Sequence, residues 1–161
     1  MYRAKQAGKN RYHVFDTEKD RTLRTRHEGF DSIENALANG QFLLYFQPKV
    51  NMRTGEVLGA EALIRWQHPT RGLLSPASFI PIIENHPLGI DVGKWTIEAA
   101  LTQIEVWRKA GLHVPISVNI GARHLLQPDF IMHLRGMLSR HPGVQPQDLE
   151  LEILETSAVE D

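Results

Sequence analysis

The sequence predicts an α/β fold, a parallel sheet or barrel entered through an antiparallel hairpin. Three observations lead there. Two runs rich in aromatic and branched residues, 42–50 and 57–66, are separated by only residues 51–56. So short a connection cannot hold a crossover, so the pair is antiparallel. After the pair, strand-like and helix-like patterns alternate, which is the order of a sheet covered by helices. Finally, 161 residues with 42% hydrophobic and 23% charged side chains have the size and composition of a domain that buries its own core.

In chain order, residues 1–10 are basic, and Arg11-Tyr12-His13-Val14-Phe15 alternates like a small strand. Asp16 or Thr17 is placed to cap a helix running to about Asn39, with Gly40 where helices end. Leu23, Phe30, Ile33 and Leu37 are its sparse apolar contacts. That pattern fits a linker helix between domains and fits an amphipathic surface helix equally well. The hairpin follows, its connection containing Thr54-Gly55. Ser75-Pro76 reads as a helix cap with proline at the first helical position. Residues 91–110 place Ile97, Ala100, Leu101, Ile104 and Trp107 at helical spacing before Gly111. Residues 114–119 read as a strand. Gln127-Pro128 opens a helix with Phe130, Leu134, Met137 and Leu138 on one side, ended by Pro142-Gly143, and 149–154 read as the last strand. There is no internal repeat and no low-complexity segment.

Eighteen Lys and Arg against nineteen Asp and Glu give a formal charge of −1. Without a basic excess, a DNA or RNA duplex is not the expected partner. The absence of cysteine excludes disulfides, thiolate zinc sites, iron–sulfur clusters and cysteine nucleophiles. No run approaches the ~18 apolar residues needed to span a bilayer, and the first residues lack the apolar stretch of a signal peptide. The chain therefore reads as cytoplasmic.

In such folds the reacting groups lie toward the carboxyl ends of strands. On 57–66 a period of two puts Glu61 on one face with Leu63 and Arg65, and Leu58, Ala60, Ala62, Ile64 and Trp66 on the other. A carboxylate in an apolar run needs a metal or a cation, because burial without a partner costs several kcal/mol. A salt bridge to Arg65 on a solvated face satisfies the pattern as well. Asn119 ends its strand, as a turn former or as a hard oxygen ligand. Glu150-Leu151-Glu152-Ile153-Leu154-Glu155 alternates as a half-exposed strand does. Together these residues offer carboxylate, amide and carboxylate from three strands, an oxygen-only set that suits Mg²⁺, Mn²⁺ or Ca²⁺. His68, His124 and His133 lack ligand spacing and read as surface or loop residues.

Glu61-Ala62-Leu63 within Gly59-Ala60-Glu61-Ala62-Leu63-Ile64-Arg65-Trp66 follows Tyr45-Phe46-Gln47-Pro48-Lys49 and precedes His68-Pro69. With Gly72-Leu73-Leu74-Ser75-Pro76, Phe79-Ile80-Pro81, Ser117-Val118-Asn119-Ile120 and Glu150-Leu151-Glu152-Ile153-Leu154-Glu155 in order, the chain resembles EAL domains, bacterial phosphodiesterases that open cyclic di-GMP to linear pGpG. The resemblance implies a TIM-like barrel whose first strand runs antiparallel, Mg²⁺ or Mn²⁺ as cofactor, and cyclic di-GMP as the bound partner. It implies that Glu61, Asn119 and Glu152 ligate metal, with Glu61 and Glu152 catalytic. Gln47, Leu63 and Arg65 fall at substrate-binding positions, and Glu155 matches a glutamate that supports a loop over the metals. Two positions depart from the pattern: Gly121 stands for serine or alanine, and Leu154 for threonine. Both lie where support for the ligands is expected.

Residues 1–12 resemble the last helix and strand of a GGDEF domain, which implies a division into a GGDEF-like tail (1–16), a linker helix (17–40) and the N-terminal half of an EAL domain (41–161). A TIM barrel takes about 250 residues, and the family's paired aspartates, a lysine and a later glutamate and glutamine are expected beyond residue 161. A half-barrel is expected to leave strand edges and an apolar sheet face uncovered and to turn over little substrate alone. The parent is expected to be cytoplasmic or anchored to a membrane through a preceding region, and a homodimer is compatible with the resemblance. The competing expectation is a non-catalytic EAL module that binds cyclic di-GMP or a protein.

Overall fold

The computed structural model describes residues 17–153, with side chains from residue 27 onward. Residues 1–16, where a GGDEF-like tail is expected, and Leu154 and Glu155 lie outside the described residues. The order is α1 (Thr17–Ala38), β1 (Phe42–Val50), β2 (Val57–His68), β3 (Gly72–Leu74), α2 (Ile80–Ile83), α3 (Leu88–Lys109), β4 (Ile116–Ile120), α4 (Ala122–Leu125), α5 (Phe130–Arg140) and β5 (Leu149–Ile153). The sheet runs β1-β2-β4-β5, and β3 pairs with the far end of β2. β1 and β2 are antiparallel, whereas β2, β4 and β5 are mutually parallel. This is the hairpin-entered α/β sheet that the sequence predicts.

One sheet face packs on α3 and α5. Ala62, Ile116, Val118 and Ile120 are buried against Ile97, Ala100, Leu101, Ile104, Phe130 and Met137, each large aliphatic contributing about 1.5–3 kcal/mol by leaving water. A second cluster joins Ile33 and Ala36 of α1 to Phe42, Trp66, Phe79, Ile83 and Val92. The last turns of α1 thus belong to the core, which favours the amphipathic description of its C-terminal end. Gly40 follows at φ 62°, a left-handed geometry that favours glycine.

Several boundaries differ from expectation. α3 starts at Leu88 rather than at 91, because Leu88 and Val92 extend its buried stripe. β4 begins at Ile116 because Pro115 has no N–H to donate, although its carbonyl accepts from Ala60 N at 2.9 Å. Ser75-Pro76 opens a single 3₁₀ turn without a side-chain capping bond, and the following helix, α2, is four residues long. β3 and α4 are too short for periodicity to reveal. His124, expected at the surface or in a loop, is only 2% exposed, beneath α3 at Gly93. Among the described residues no helix is long and apolar enough to cross a membrane.

Candidate functional site

The face turned away from α3 and α5 is set by strand register. Gln47 stands opposite Glu61, Glu61 opposite Ser117, and Ser117 opposite Glu150, while Asn119 stands opposite Glu152. Neighbours in register point to the same side, so alternation adds Tyr45 and Lys49 from β1 and Leu63 and Arg65 from β2. Among the described residues this face is mainly polar, not the apolar face expected of an open half-barrel.

Asn119 Nδ2 donates to Glu61 Oε1 at 2.9 Å. This bond joins two neighbouring strands. Asn119 is a member of β4 rather than a turn former, and Glu61 is satisfied by the neighbouring strand. Arg65 instead donates to the Ile64 carbonyl at 2.9 Å, with its guanidinium 5.5 Å from the centre of the half-exposed Tyr45 ring. Gln47 is exposed, and Leu63 is partly buried between them.

Glu152 meets a different partner. Lys49 Nζ donates to Glu152 Oε1 at 2.6 Å and to Glu150 Oε2 at 3.4 Å. The contact joins the outer strands of the sheet. Lys49 and Glu152 are three strands apart and offset by four residues, roughly 19 Å on a flat sheet at ordinary spacings. Their meeting at 2.6 Å requires the face to be concave. The hydrogen bond from Lys49 holds the Glu152 carboxyl below its usual range, with a further contribution from the nearby Ser117 hydroxyl. The same bond to Glu152 raises the Lys49 ammonium, against a smaller opposing effect of burial. With Lys49 38% and Glu152 41% exposed, solvent screening limits this pair to at most about 1 kcal/mol of stability.

Ser117 Oγ is buried in the middle of the wall and has no hydrogen bond of ordinary geometry. Lys49, Ser117 and Tyr45 were not singled out from sequence. The signal was available for Lys49, since the short connection 51–56 fixes the register that puts it on the Glu61 face.

The donor set fits a hard divalent cation. Glu61, Asn119 and Glu152 lie on three adjacent strands of one concave face, all offer oxygen, and no thiolate or imidazole competes. Among the described residues no three His, Cys, Asp or Glu side chains form a metal cluster. A cavity of about 160 Å³ lies elsewhere, in the helical layer, lined by Asp91, Lys94, His124 and His133 among others. It contains none of these candidates.

Comparison with known proteins bears on residues 31–161, which match the family model described as EAL domain. The chain is 33% identical over 163 aligned residues to the bifunctional diguanylate cyclase/cyclic di-GMP phosphodiesterase MucR of Pseudomonas aeruginosa, covering 100% of this chain and 24% of that protein. It is 32% identical over 160 residues to the cyclic di-GMP phosphodiesterase PdeR of Escherichia coli, covering 99% of this chain and 24% of that protein. A solved structure of the PaMucR phosphodiesterase in complex with c-di-GMP superposes with a TM-score of 0.76 at 33% identity, over 83% of this chain and 54% of that one. The chain thus spans about a quarter of the curated relatives' length and about half of the solved one.

Proposed function

The chain belongs to the EAL domain family, and from that premise we propose that its concave sheet face is one wall of a metal-dependent site that opens cyclic di-GMP to linear pGpG. The observation that carries the reading is the placement of Glu61, Asn119 and Glu152 on one face of three adjacent strands, with Asn119 bonded to Glu61 and opposite Glu152 in register. In this reading they hold Mg²⁺ or Mn²⁺. The cation supplies charge against a phosphate and acidifies a bound water.

The chain's own residues divide the remaining work. Asn119 fixes the Glu61 carboxylate through its amide N–H, and rotation of that amide presents its oxygen in place of its nitrogen. Arg65, stacked over Tyr45, offers a planar fork for a phosphate. Gln47 is exposed on the same face and offers both a donor and an acceptor to the dinucleotide, while Leu63 supplies apolar contact beside it. Glu155 completes the assignment as support for a loop over the metals. A GGDEF-like segment at 1–16, a linker at 17–40 and an EAL half-domain at 41–161 remain the proposed division. In this reading turnover needs oxygen ligands beyond these three, and pairing into a homodimer is compatible with it.

The test is hydrolysis of cyclic di-GMP by the protein at its full natural length with Mg²⁺ or Mn²⁺. Linear pGpG appearing in wild type and lost in Glu61→Gln and Asn119→Ala supports the reading, whereas turnover retained in Glu61→Gln contradicts it. One observation favours a second reading, a module that binds cyclic di-GMP without cutting it: the Lys49 ammonium rests on Glu152, an arrangement a metal-free site can keep. Binding of cyclic di-GMP that is unaffected by a chelator, with no pGpG formed, would establish it.

A further inference from the structure

The Lys49 ammonium lies between the two carboxylates of β5, 2.6 Å from Glu152 Oε1 and 3.4 Å from Glu150 Oε2. Resting on the metal reading above, we propose that Lys49 is a positioning residue. It holds Glu152 before a divalent cation arrives, and transfers to Glu150 as Glu152 turns to the metal.

The geometry provides for the transfer. Glu150 and Glu152 are two residues apart on the same side of β5, about 6.6 Å along the strand, and the flexible four-carbon stem of lysine sweeps that range without moving backbone. Its route across the sheet passes over Gly59, which stands opposite Lys49 on β2. A Cβ at Gly59 would lie 3.8 Å from the lysine Cδ and 3.3 Å from the Pro115 carbonyl oxygen, so glycine keeps this passage open. Charge supplies the reason. Glu61, Glu150 and Glu152 put three carboxylates on one concave face, and Lys49 is the ammonium that offsets the pair on β5. An ammonium left on a metal ligand repels a dication; an acceptor one step away lets it yield without leaving the site. Glu150, outside the ligand set, is that acceptor.

The test is titration with Mn²⁺ alone, followed by calorimetry at neutral pH, on wild type, Lys49→Gln, Glu150→Gln, the double variant, Lys49→Arg and Glu61→Gln. Circular dichroism and thermal melts establish that each variant is folded. Removing a unit charge about 5 Å from a dication tightens binding about tenfold even in a water-like dielectric, so Lys49→Gln is expected to lower Kd by that factor. Lys49→Arg keeps the charge and stays near wild type. Glu150→Gln weakens Mn²⁺ binding in both backgrounds because it removes a carboxylate from the face, and weakens it more in the wild-type background, where the Lys49 ammonium also loses its acceptor. An unchanged or weaker affinity in Lys49→Gln overturns the proposal, as does an equal Glu150→Gln effect in both backgrounds. The metal reading itself fails separately, if Glu61→Gln leaves Mn²⁺ affinity unchanged. Absence of binding in wild type and Lys49→Gln alike overturns both.

Discussion

Replacing Gly93 with alanine sets two effects against each other on one buried helix. In an open helix interior the change stabilises by about 1 kcal/mol, because alanine is the better helix former. At this position the new methyl would lie 2.5 Å from Nδ1 and 3.2 Å from Cε1 of His124. The imidazole can yield only toward the small cavity that it lines. It is 2% exposed and packs edge-on against Phe130 at 5.1 Å between ring centres. Forcing such an overlap typically costs 1–3 kcal/mol, so the net expectation is a loss of about 1 kcal/mol. For a chain of this size that lowers Tm by roughly 2–4 °C. Removing the ring reverses the sign: in a His124→Ala background, Gly93→Ala is expected to stabilise by about 1 kcal/mol, a coupling of about 2 kcal/mol. Urea denaturation of the four proteins measures it. Gly93→Ala stabilising in both backgrounds, or costing the same in both, would refute the argument. The contact also bears on the site, because His124 begins the polypeptide's departure from Asn119 and ties the end of β4 to α3.

Three further expectations follow from the same packing. Burial, chiefly, pushes the His124 imidazole below its ordinary value near 6.5, so the unfolded chain takes up this proton first as pH falls. The stability it contributes is full above about 6.5 and declines as pH drops through its lowered folded value, and denaturation midpoints in His124→Leu should show a flatter pH dependence over that window. Burial works to raise the Glu98 carboxyl, but Arg140 and His141 outweigh it and hold it below 4.5, so an Arg140→Met variant should lose less stability than wild type on acidification through that range. Arg108 Nη1 meets Asp148 Oδ2 at 2.7 Å with both side chains mostly buried, and the same carboxylate accepts from Gln145 N at 2.8 Å. Asp148→Ala is expected to cost about 2 kcal/mol, read by urea denaturation, and a loss under 0.5 kcal/mol would mean that solvent already screens the pair.

The hairpin, the buried stripe of α3 and the parity of β2 were legible because each is a repeated pattern over many residues. Ala60, Ala62 and Trp66 are buried as alternation requires, and Glu61 faces away from them. Gly40 ends α1 and Gly111 follows α3 at positive φ, where backbone conformation favours glycine. What was hidden depends on contacts between distant segments. Nothing local marks His124 as buried, since the room for it is made by a glycine on another helix. The pairing of Asn119 with Glu61 and of Lys49 with Glu152 likewise depends on strand order and curvature, which no single segment carries. Treating Glu61 and Arg65 as partners from their spacing failed because Arg65 finds Tyr45 and a carbonyl, while Glu61 finds the next strand.

The central claim, that a divalent cation belongs on the concave face and not elsewhere, is tested most directly by electron paramagnetic resonance of bound Mn²⁺ in wild type, Glu61→Gln and Asp129→Asn. Asp129 lines the helical-layer cavity and serves as the control carboxylate. The expected result is bound Mn²⁺ in wild type and in Asp129→Asn, with its signal lost in Glu61→Gln. Retention in Glu61→Gln together with loss in Asp129→Asn would move the metal off the sheet and contradict the account.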